Sequence, residues 1–482
     1  MISRRAFTGA LLGAAACSFG STAVAAPPLV SGRKPTDIKI KSASASAERF
    51  PLRTQLKFGG LAGGTALSVL TVTVEVESRD GRRASGRGVM TIGNRWGWPS
   101  HAIPGQKTTD AMIATGKRMA ADATQLGSYG HPLELCRELA AQYANAAAAV
   151  VADMKLPESM PRLAQLVCAS PLEAAVFDAY GKLLGQNVFN LLGKEFVNSD
   201  LSGYLNKDFS GEYLDQYTSR VPQKRMPLYH LIGGADALTE RDIPKRLNDG
   251  WPETLGEWIV ADGLTHMKIK LVGNDLEKDV RRVVDIENVV APVQHKRGIN
   301  QWFYSADFNE QCPDEQYVLD WLKQVESNSP NAFKSLQYIE QPTNRDLTAL
   351  PRITMFRAAK VRPVVIDESL VDFKSLLMSR DAGYSGVALK ACKGLAEALL
   401  MGAAAQKYHC FLCVQDLTCP GESFMLSASL AAHIPTVQAV EGNARQFCPQ
   451  ANKPCEKNFP GLFDIKDGTV ETGVLSGPGL GF

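Results

Sequence analysis

The sequence predicts an α/β chain whose second half closes into a TIM-like parallel barrel. Between Thr265 and Lys390, short apolar runs recur as buried strands would, and the stretches between them read as helices or loops. Each run ends in a charged residue. THMKIK carries Lys268 and Lys270, WFYSADFN carries Asp307 and Asn309, LQYIEQP carries Glu340, VVIDES carries Asp367 and Glu368, and GVALK ends in Lys390. Side chains at the C-terminal ends of barrel strands point into the mouth, so three carboxylates and three lysines are expected at one rim.

Alternation along the strands sharpens this expectation, because residues two apart share a face. His266, Lys268 and Lys270 point one way, as do Ser305, Asp307 and Asn309, Tyr338 and Glu340, and Val365 and Asp367. Buried charges require partners. Asp307, Glu340 and Asp367 are hard oxygen donors that suit one divalent cation with open positions, Mg²⁺ by default. Lysines flanking such an ion are expected to have depressed pKa values, as a lysine base near neutral pH requires.

The ordered set K-x-K, D-x-N, E-Q-P, D-E-S and a lysine after a short apolar strand resembles the enolase superfamily. The match is to the muconate-lactonizing-enzyme branch of its mandelate racemase group, and it covers most of the chain after about residue 165. The resemblance implies a (β/α)7β barrel with an α+β N-terminal capping domain completed by the C-terminal tail. It further implies that Asp307, Glu340 and Asp367 bind Mg²⁺, that Lys270 and Lys390 face each other across a small carboxylate substrate, and that Lys268 gives electrostatic help. Asn309 and Glu368 are candidates for holding the ligands in place. Lys393, three residues beyond Lys390, is a rival for its role; His266 reads as a packed barrel residue.

Residues 1–26 read as a targeting segment. Arg4 and Arg5 precede a short apolar run and an Ala23-Val24-Ala25 cleavage pattern, and Ser3-Arg4-Arg5-Ala6-Phe7 resembles a twin-arginine export signal. The expected location is the periplasm. A lipoprotein anchor at Cys17 ranks second, because Ala14 stands where such signals prefer leucine. The apolar run is too short for a mature membrane span.

Residues 27–50, rich in Pro, Ser and Lys, read as a linker or extended arm, and 51–222 as the capping domain. LSVLTVTVEVES and ASGRGVMTIG read as a hairpin around RDGR. Residues 95–115, with Trp96, Trp98, His101 and Pro104, read as a loop that is a candidate to close over substrate. Residues 132–154 are Ala-rich and helical. ASPLEAAVFDAYGKLLGQNVFNLLG, 169–193, reads as a helix stopped by Gly185 with Asp178 in a structural role, and resembles the end of the family's cap.

The barrel domain is expected over 223–445. MPLYHLIGG opens it, and helices are expected over 236–258, 275–290, around 317–325, 343–360, 370–383 and from Gly394 to His409. HCFLCVQDL reads as the seventh strand with Leu412, Val414 and Asp416 on one face, Asp416 standing where the family often carries a substrate-facing residue. CPGESFMLSASLAAHI is the next helix, and TVQAV the eighth strand, ending at Glu441-Gly442-Asn443. Dipeptide epimerases of the family carry Asp-x-Asp near there, so Glu441 and Asn443 weaken a dipeptide reading. Arg445 reads as a carboxylate binder or a surface ion pair. Residues 446–482 resemble the family's segment returning to the cap.

A net charge of +2 gives no argument for nucleic acid. Cys410-x-x-Cys413 lies in a buried strand without a second pair, which argues against zinc or redox chemistry. Cys448 and Cys455 are candidates for a disulfide in an oxidising compartment, with Cys419 as another partner. The function expected is abstraction of the proton α to a carboxylate to give an ene-diolate, with racemisation or epimerisation first and dehydration or cycloisomerisation as alternatives. A non-catalytic exported binding protein is the reading from another class. A homo-oligomer is left open.

Overall fold

The computed structural model describes residues 34–54, the backbone at 57–58 and 61–62, and residues 64–482. The expected export segment, 1–26, and Cys17 lie outside the described residues. Three antiparallel strands open the fold: β1 (Ile38–Pro51), β2 (Ala66–Ser78) and β3 (Arg83–Thr91), in the order β1-β2-β3. The expected linker over 27–50 is therefore a strand from Ile38 onward. IKIKSASASAERFP alternates, but its inward face uses Ala43, Ala45 and Ala47 instead of β-branched residues, so the strand signal is weak.

The sheet packs on the helix Arg162–Leu184, which is buried on nearly every side. Gly86 and Gly88 allow that approach, since a Cβ at either would overlap helix backbone. Pro171 lies inside this helix, and the carbonyl of Val167 accepts instead from the Ser170 hydroxyl at 2.9 Å. Gly185, at φ 65°, ends the helix in the left-handed conformation. Asp178 is structural, as expected: it accepts from Arg87 N at 2.9 Å, Leu480 N at 3.2 Å and Lys182 Nζ at 2.6 Å, tying sheet, helix and C-terminal tail together.

Two readings of the cap change. The Ala-rich stretch is two helices, Pro132–Ala140 and Tyr143–Asp153, and the expected loop over 95–115 is largely helical, with a short helix at Asn94–Gly97 and a long one at Gly105–Ala123.

Eight parallel strands close the barrel: β4 (Met226–Ile232), β5 (His266–Lys270), β6 (Phe303–Asp307), β7 (Leu336–Glu340), β8 (Val364–Ile366), β9 (Gly386–Leu389), β10 (Phe411–Val414) and β11 (Val440–Glu441). Neighbours in sequence are neighbours in the sheet, and β11 closes on β4 through Val440–Leu228 and Glu441–Tyr229. The tail adds β12 (Thr469–Val470) antiparallel to β4 before reaching the cap.

Local signals set several helices. Thr254 and Glu257 form a capping box for Leu255–Asp262, which Gly263 ends at φ 71°, and Asp275 caps Leu276–Lys296. Before Leu255–Asp262 the first crossover holds only a short turn at Glu240–Asp242, and 343–360 holds one at Ala358–Lys360, where helices were expected. The first stretch carries Pro244 and Pro252 and the second Pro351, and neither has a sustained apolar period.

Inside the barrel, Tyr229, Tyr338, Val365, Ala388, Cys413 and Ala439 form an apolar floor. The nine described cysteines are free. The expected Cys448–Cys455 disulfide is not formed: Cys448 is buried against the cap strands, and Cys455 lies beside Gly421.

Gly88→Ala should cost about 3 kcal/mol or more, because the new methyl would meet the fixed Pro171 carbonyl. Chemical denaturation measures this, and an unchanged midpoint would refute the packing described.

Candidate active site at the barrel mouth

The register of the sheet builds the site. Lys270 pairs with Asp307, and Asp307 with Glu340, so the ends of β5, β6 and β7 form one row. Val365 pairs with Glu340, which carries Asp367 two residues further, onto the same inner face. Lys390 follows β9, and Glu441 ends β11. All six residues expected to carry chemistry, Lys268, Lys270, Asp307, Glu340, Asp367 and Lys390, converge here.

Lys268 is the hub. It is 1% exposed, and its ammonium bridges Glu340 at 2.8 Å, Glu441 at 3.1 Å and Asp307 at 3.2 Å. Lys270 pairs with Asp307. On the other side Lys390 meets Asp367 Oδ2 at 2.9 Å. Lys393 meets Oδ1 at 3.1 Å and the Asp367 carbonyl at 2.5 Å. Lys270 and Lys390 belong to strands four apart in a ring of eight, so they flank the carboxylates from opposite sides.

The charges are strongly coupled. Burial opposes the ammonium of Lys268, yet the charges of Glu340, Glu441 and Asp307 hold it well above its ordinary value. Lys390 is likewise raised: burial opposes its charge, and Asp367 outweighs burial. Both rises come from carboxylates that include the three candidate metal ligands, so they describe the site with its lysines as the only cations beside those acids. Burial is also outweighed at Asp307 by Lys270 and Lys268, and at Asp367 by Lys390 and Lys393, so both stay low. Glu340 is pushed up by burial and then by the charge of Asp307.

The remaining candidates separate. Asn309, at φ 46°, donates its backbone N–H to Asp307 Oδ1 at 2.9 Å and so orients that carboxylate. Glu368 accepts from the Trp96 indole at 3.0 Å, and burial with the nearby Asp367 charge pushes it up to about 8. Glu441 holds Lys268 and accepts from Asn443 Nδ2 at 3.1 Å.

Asp416 is not substrate-facing. Its oxygens accept from the backbone N–H of Leu417 at 2.8 Å, Cys419 at 2.9 Å and Asn443 at 3.0 Å, pinning the loop after β10 to that after β11. Leu412 and Val414 share a face of β10, as expected, but it is the outer one, packed in the main core, whereas Cys413 joins the barrel floor. Gln415 therefore points inward, and its amide donates to Glu340 and to Tyr338 Oη. A run apolar on both faces hides which face is inner.

Arg445 is neither a carboxylate binder at this site nor a surface residue. It is buried, paired with Asp262, and lies 4.7 Å from the Trp258 ring centre. His266 packs against Tyr229 and Phe303, as expected.

Two groups of contacts were not legible in the motifs. Gln341 of the E-Q-P run accepts from Asp367 N at 2.8 Å and donates to Ser369 Oγ at 2.8 Å, fixing the loop that carries Asp367. Trp96, 8% exposed, reaches from the cap to cover the second lysine pair, its ring centre 4.5 Å from Lys390 Nζ and 5.5 Å from Lys393 Nζ. The Trp96 carbonyl accepts from Arg345 at 3.0 Å, and Arg345 is itself gripped by Glu310 at 2.5 and 2.7 Å. Of the candidate closing loop, Trp96 alone joins the lysines; His101 is exposed.

Among the described residues, no three His, Cys, Asp or Glu side chains converge tightly enough to enclose a metal ion as they stand, and the lysine ammonium groups engage the carboxylate oxygens. The donor set nevertheless fits a hard divalent cation. Asp307, Glu340 and Asp367 offer oxygen donors from three adjacent strands, and a cation among them would offset the burial, and then the Asp307 charge, that push Glu340 up.

The fold is shared with solved structures of low identity, which show the fold alone. The dipeptide epimerase of Enterococcus faecalis V583, solved with Mg and L-Leu-L-Tyr, is 17% identical, covering 92% of this chain and 99% of its own, with a TM-score of 0.59. The muconate lactonizing enzyme of Pseudomonas fluorescens is 18% identical over 92% and 96%, TM-score 0.57. An enolase from Bradyrhizobium, complexed with magnesium and mandelic acid, is 16% identical over 92% and 96%, TM-score 0.55. Comparison with curated proteins gives no match. A family model described as enolase C-terminal domain-like matches residues 252–482. Residues 252–482 thus match the enolase C-terminal domain-like family, and the chain as a whole shares the fold of these solved structures.

Proposed function

We propose that the protein is a Mg²⁺-dependent enzyme that abstracts the proton α to a carboxylate, and that it acts as a racemase or epimerase. The observation that carries this is the placement of Lys270 and Lys390 on opposite sides of one carboxylate row. Asp307, Glu340 and Asp367 would hold the cation, which when bound supplies positive charge to the substrate carboxylate as electrons move onto it. Lys268, kept charged by three carboxylates, adds a fixed ammonium to the same developing charge. One of Lys270 and Lys390 takes the α-proton from its face, and the other returns a proton from the opposite face. Trp96 and Glu368 hold the Lys390 side closed to solvent. The relatives solved with mandelic acid and with a dipeptide support a small carboxylate as substrate class. Dehydration or cycloisomerisation would use the same residues on a substrate that can lose a β-group or close a ring.

We further propose that residues 1–26 export the chain to the periplasm. The support is the Arg4-Arg5 pair ahead of the apolar run and the cleavage pattern. Replacing both arginines by lysine should leave the protein in the cytoplasm, read by fractionation; unchanged export would refute the twin-arginine reading.

Incubation with Mg²⁺ in D₂O and pooled sugar acids, amino-acid derivatives and dipeptides should place deuterium at an α-carbon, detected by mass spectrometry. Lys270→Ala should slow this by at least about 10²-fold. Exchange surviving the loss of both Lys270 and Lys390 would refute the assignment, and loss of water without α-deuteration of recovered substrate would favour the dehydratase. Lys268→Met should cost about 3–5 kcal/mol of stability in chelator, because three buried carboxylates lose their shared cation. Added Mg²⁺ should recover part of that loss in denaturation curves.

A further inference from the structure

A cavity of about 260 Å³ lies between cap and barrel, and none of the mouth residues lines it. Its cap wall comes from the helices Pro132–Ala140 and Arg162–Leu184, and its barrel wall from the starts of the helices Phe373–Asp381 and Leu395–Lys407.

Charged side chains of both signs line the cavity: Arg137, Arg162 and Lys374, and Glu173, Asp372 and Glu397. On the cap side, Arg137 donates to the Gly203 carbonyl and stacks over Tyr204 at 5.5 Å. Arg162 stacks over Tyr143 at 5.5 Å and reaches Gln165 Oε1 at 3.4 Å. Neither guanidinium has a carboxylate at ion-pair distance among the described residues. On the barrel side, Glu397 has no hydrogen bond or ion pair among the described residues, and burial, then the charge of Glu173, pushes it up to about 8. Glu173 itself is satisfied, accepting from Tyr143 Oη at 3.1 Å and Ala396 N at 3.1 Å. Between the charges the lining is apolar: Leu133, Leu166, Phe373, Leu400 and Met401.

A sheltered charge without a direct partner is costly, and here Arg162 and Glu397 face one space without an ion pair, Arg162 easing Glu397 only through its charge at longer range. A ligand carrying one charge of each sign suits both walls, its carboxylate toward Arg137 and Arg162 and its ammonium toward Glu397. The apolar lining between suits a hydrocarbon side chain. We propose that this cavity binds an apolar α-amino acid as a second ligand, distinct from the substrate at the barrel mouth. The site bears on the mouth through one element. Glu173 holds the first turn of the helix that follows Lys390 and Lys393, and Glu397 belongs to that turn.

Calorimetric titration of the full chain with L-leucine and L-phenylalanine tests this. At least one should bind, and 4-methylpentanoate and 3-methylbutylamine, each lacking one charge, should bind at least about tenfold more weakly. Arg162→Gln and Glu397→Gln should each weaken the amino acid about tenfold, while Lys270→Ala should not. Hydrogen exchange should slow in 132–140 and 395–401 on binding. Should either charge variant fail to fold, Leu166→Phe, which narrows the cavity and keeps its charges, should also weaken binding. No heat with any probe, equal binding of the single-charge analogues, or binding lost in Asp307→Asn and untouched by Arg162→Gln and Glu397→Gln would overturn the proposal.

Discussion

The barrel mouth depends on the ammonium of Lys268. Three carboxylates on three strands, Asp307, Glu340 and Glu441, share it at 2.8–3.2 Å in a place water does not reach. Carboxylates this close cannot all stay charged unless a cation is held among them. The same constraint explains the outer lysines. Asp307 takes Lys270 and Asp367 takes Lys390 and Lys393, so each acid of the row carries its own counter-charge. A chain that puts so many ions at the end of an apolar barrel gives up stability to fix their positions.

Around that centre, backbone contacts do the aiming. Asn309 N fixes Asp307, Gln341 fixes the Asp367 loop, and Asp416 ties the ends of β10 and β11. The cap contributes through Trp96, which the Glu310–Arg345 grip holds in place over Lys390 and Lys393. Arg53 anchors the cap's other approach, donating to both oxygens of Asp249 at 2.5 and 2.7 Å and to the Gln446 carbonyl at 3.1 Å. The two lysine sides are consequently unlike. Lys270 keeps 16% of its side chain exposed, and Lys390 keeps 5% beneath an indole, so the Lys270 side is the more open.

Strand ends and charge order were legible in the sequence because each charged residue terminates an apolar run, and a strand's period of two then dictates its face. THMKIK, WFYSAD and LQYIE place Lys268, Lys270, Asp307 and Glu340 without further information. Gly185 and Asp178 were legible for a similar local reason, a left-handed helix end and a buried acid on a helix. Signals failed where local chemistry was ambiguous. FLCVQD is apolar on both faces, so only the Ala388–Cys413 pairing shows that Gln415 faces inward and Asp416 does not. β1 was hidden by serine and alanine, whose strand preference comes from packing on the sheet.

By itself, then, the sequence determined the fold class, the strands that carry the chemistry and the identity of the central acids and lysines, since these follow from periodicity and from residue type at strand ends. Tertiary structure alone decided which charges pair, that Trp96 covers one lysine side, and that Arg445 is buried against Asp262. Each of those depends on atoms brought together from distant segments, and electrostatic coupling and burial are functions of distance in space that no local pattern encodes.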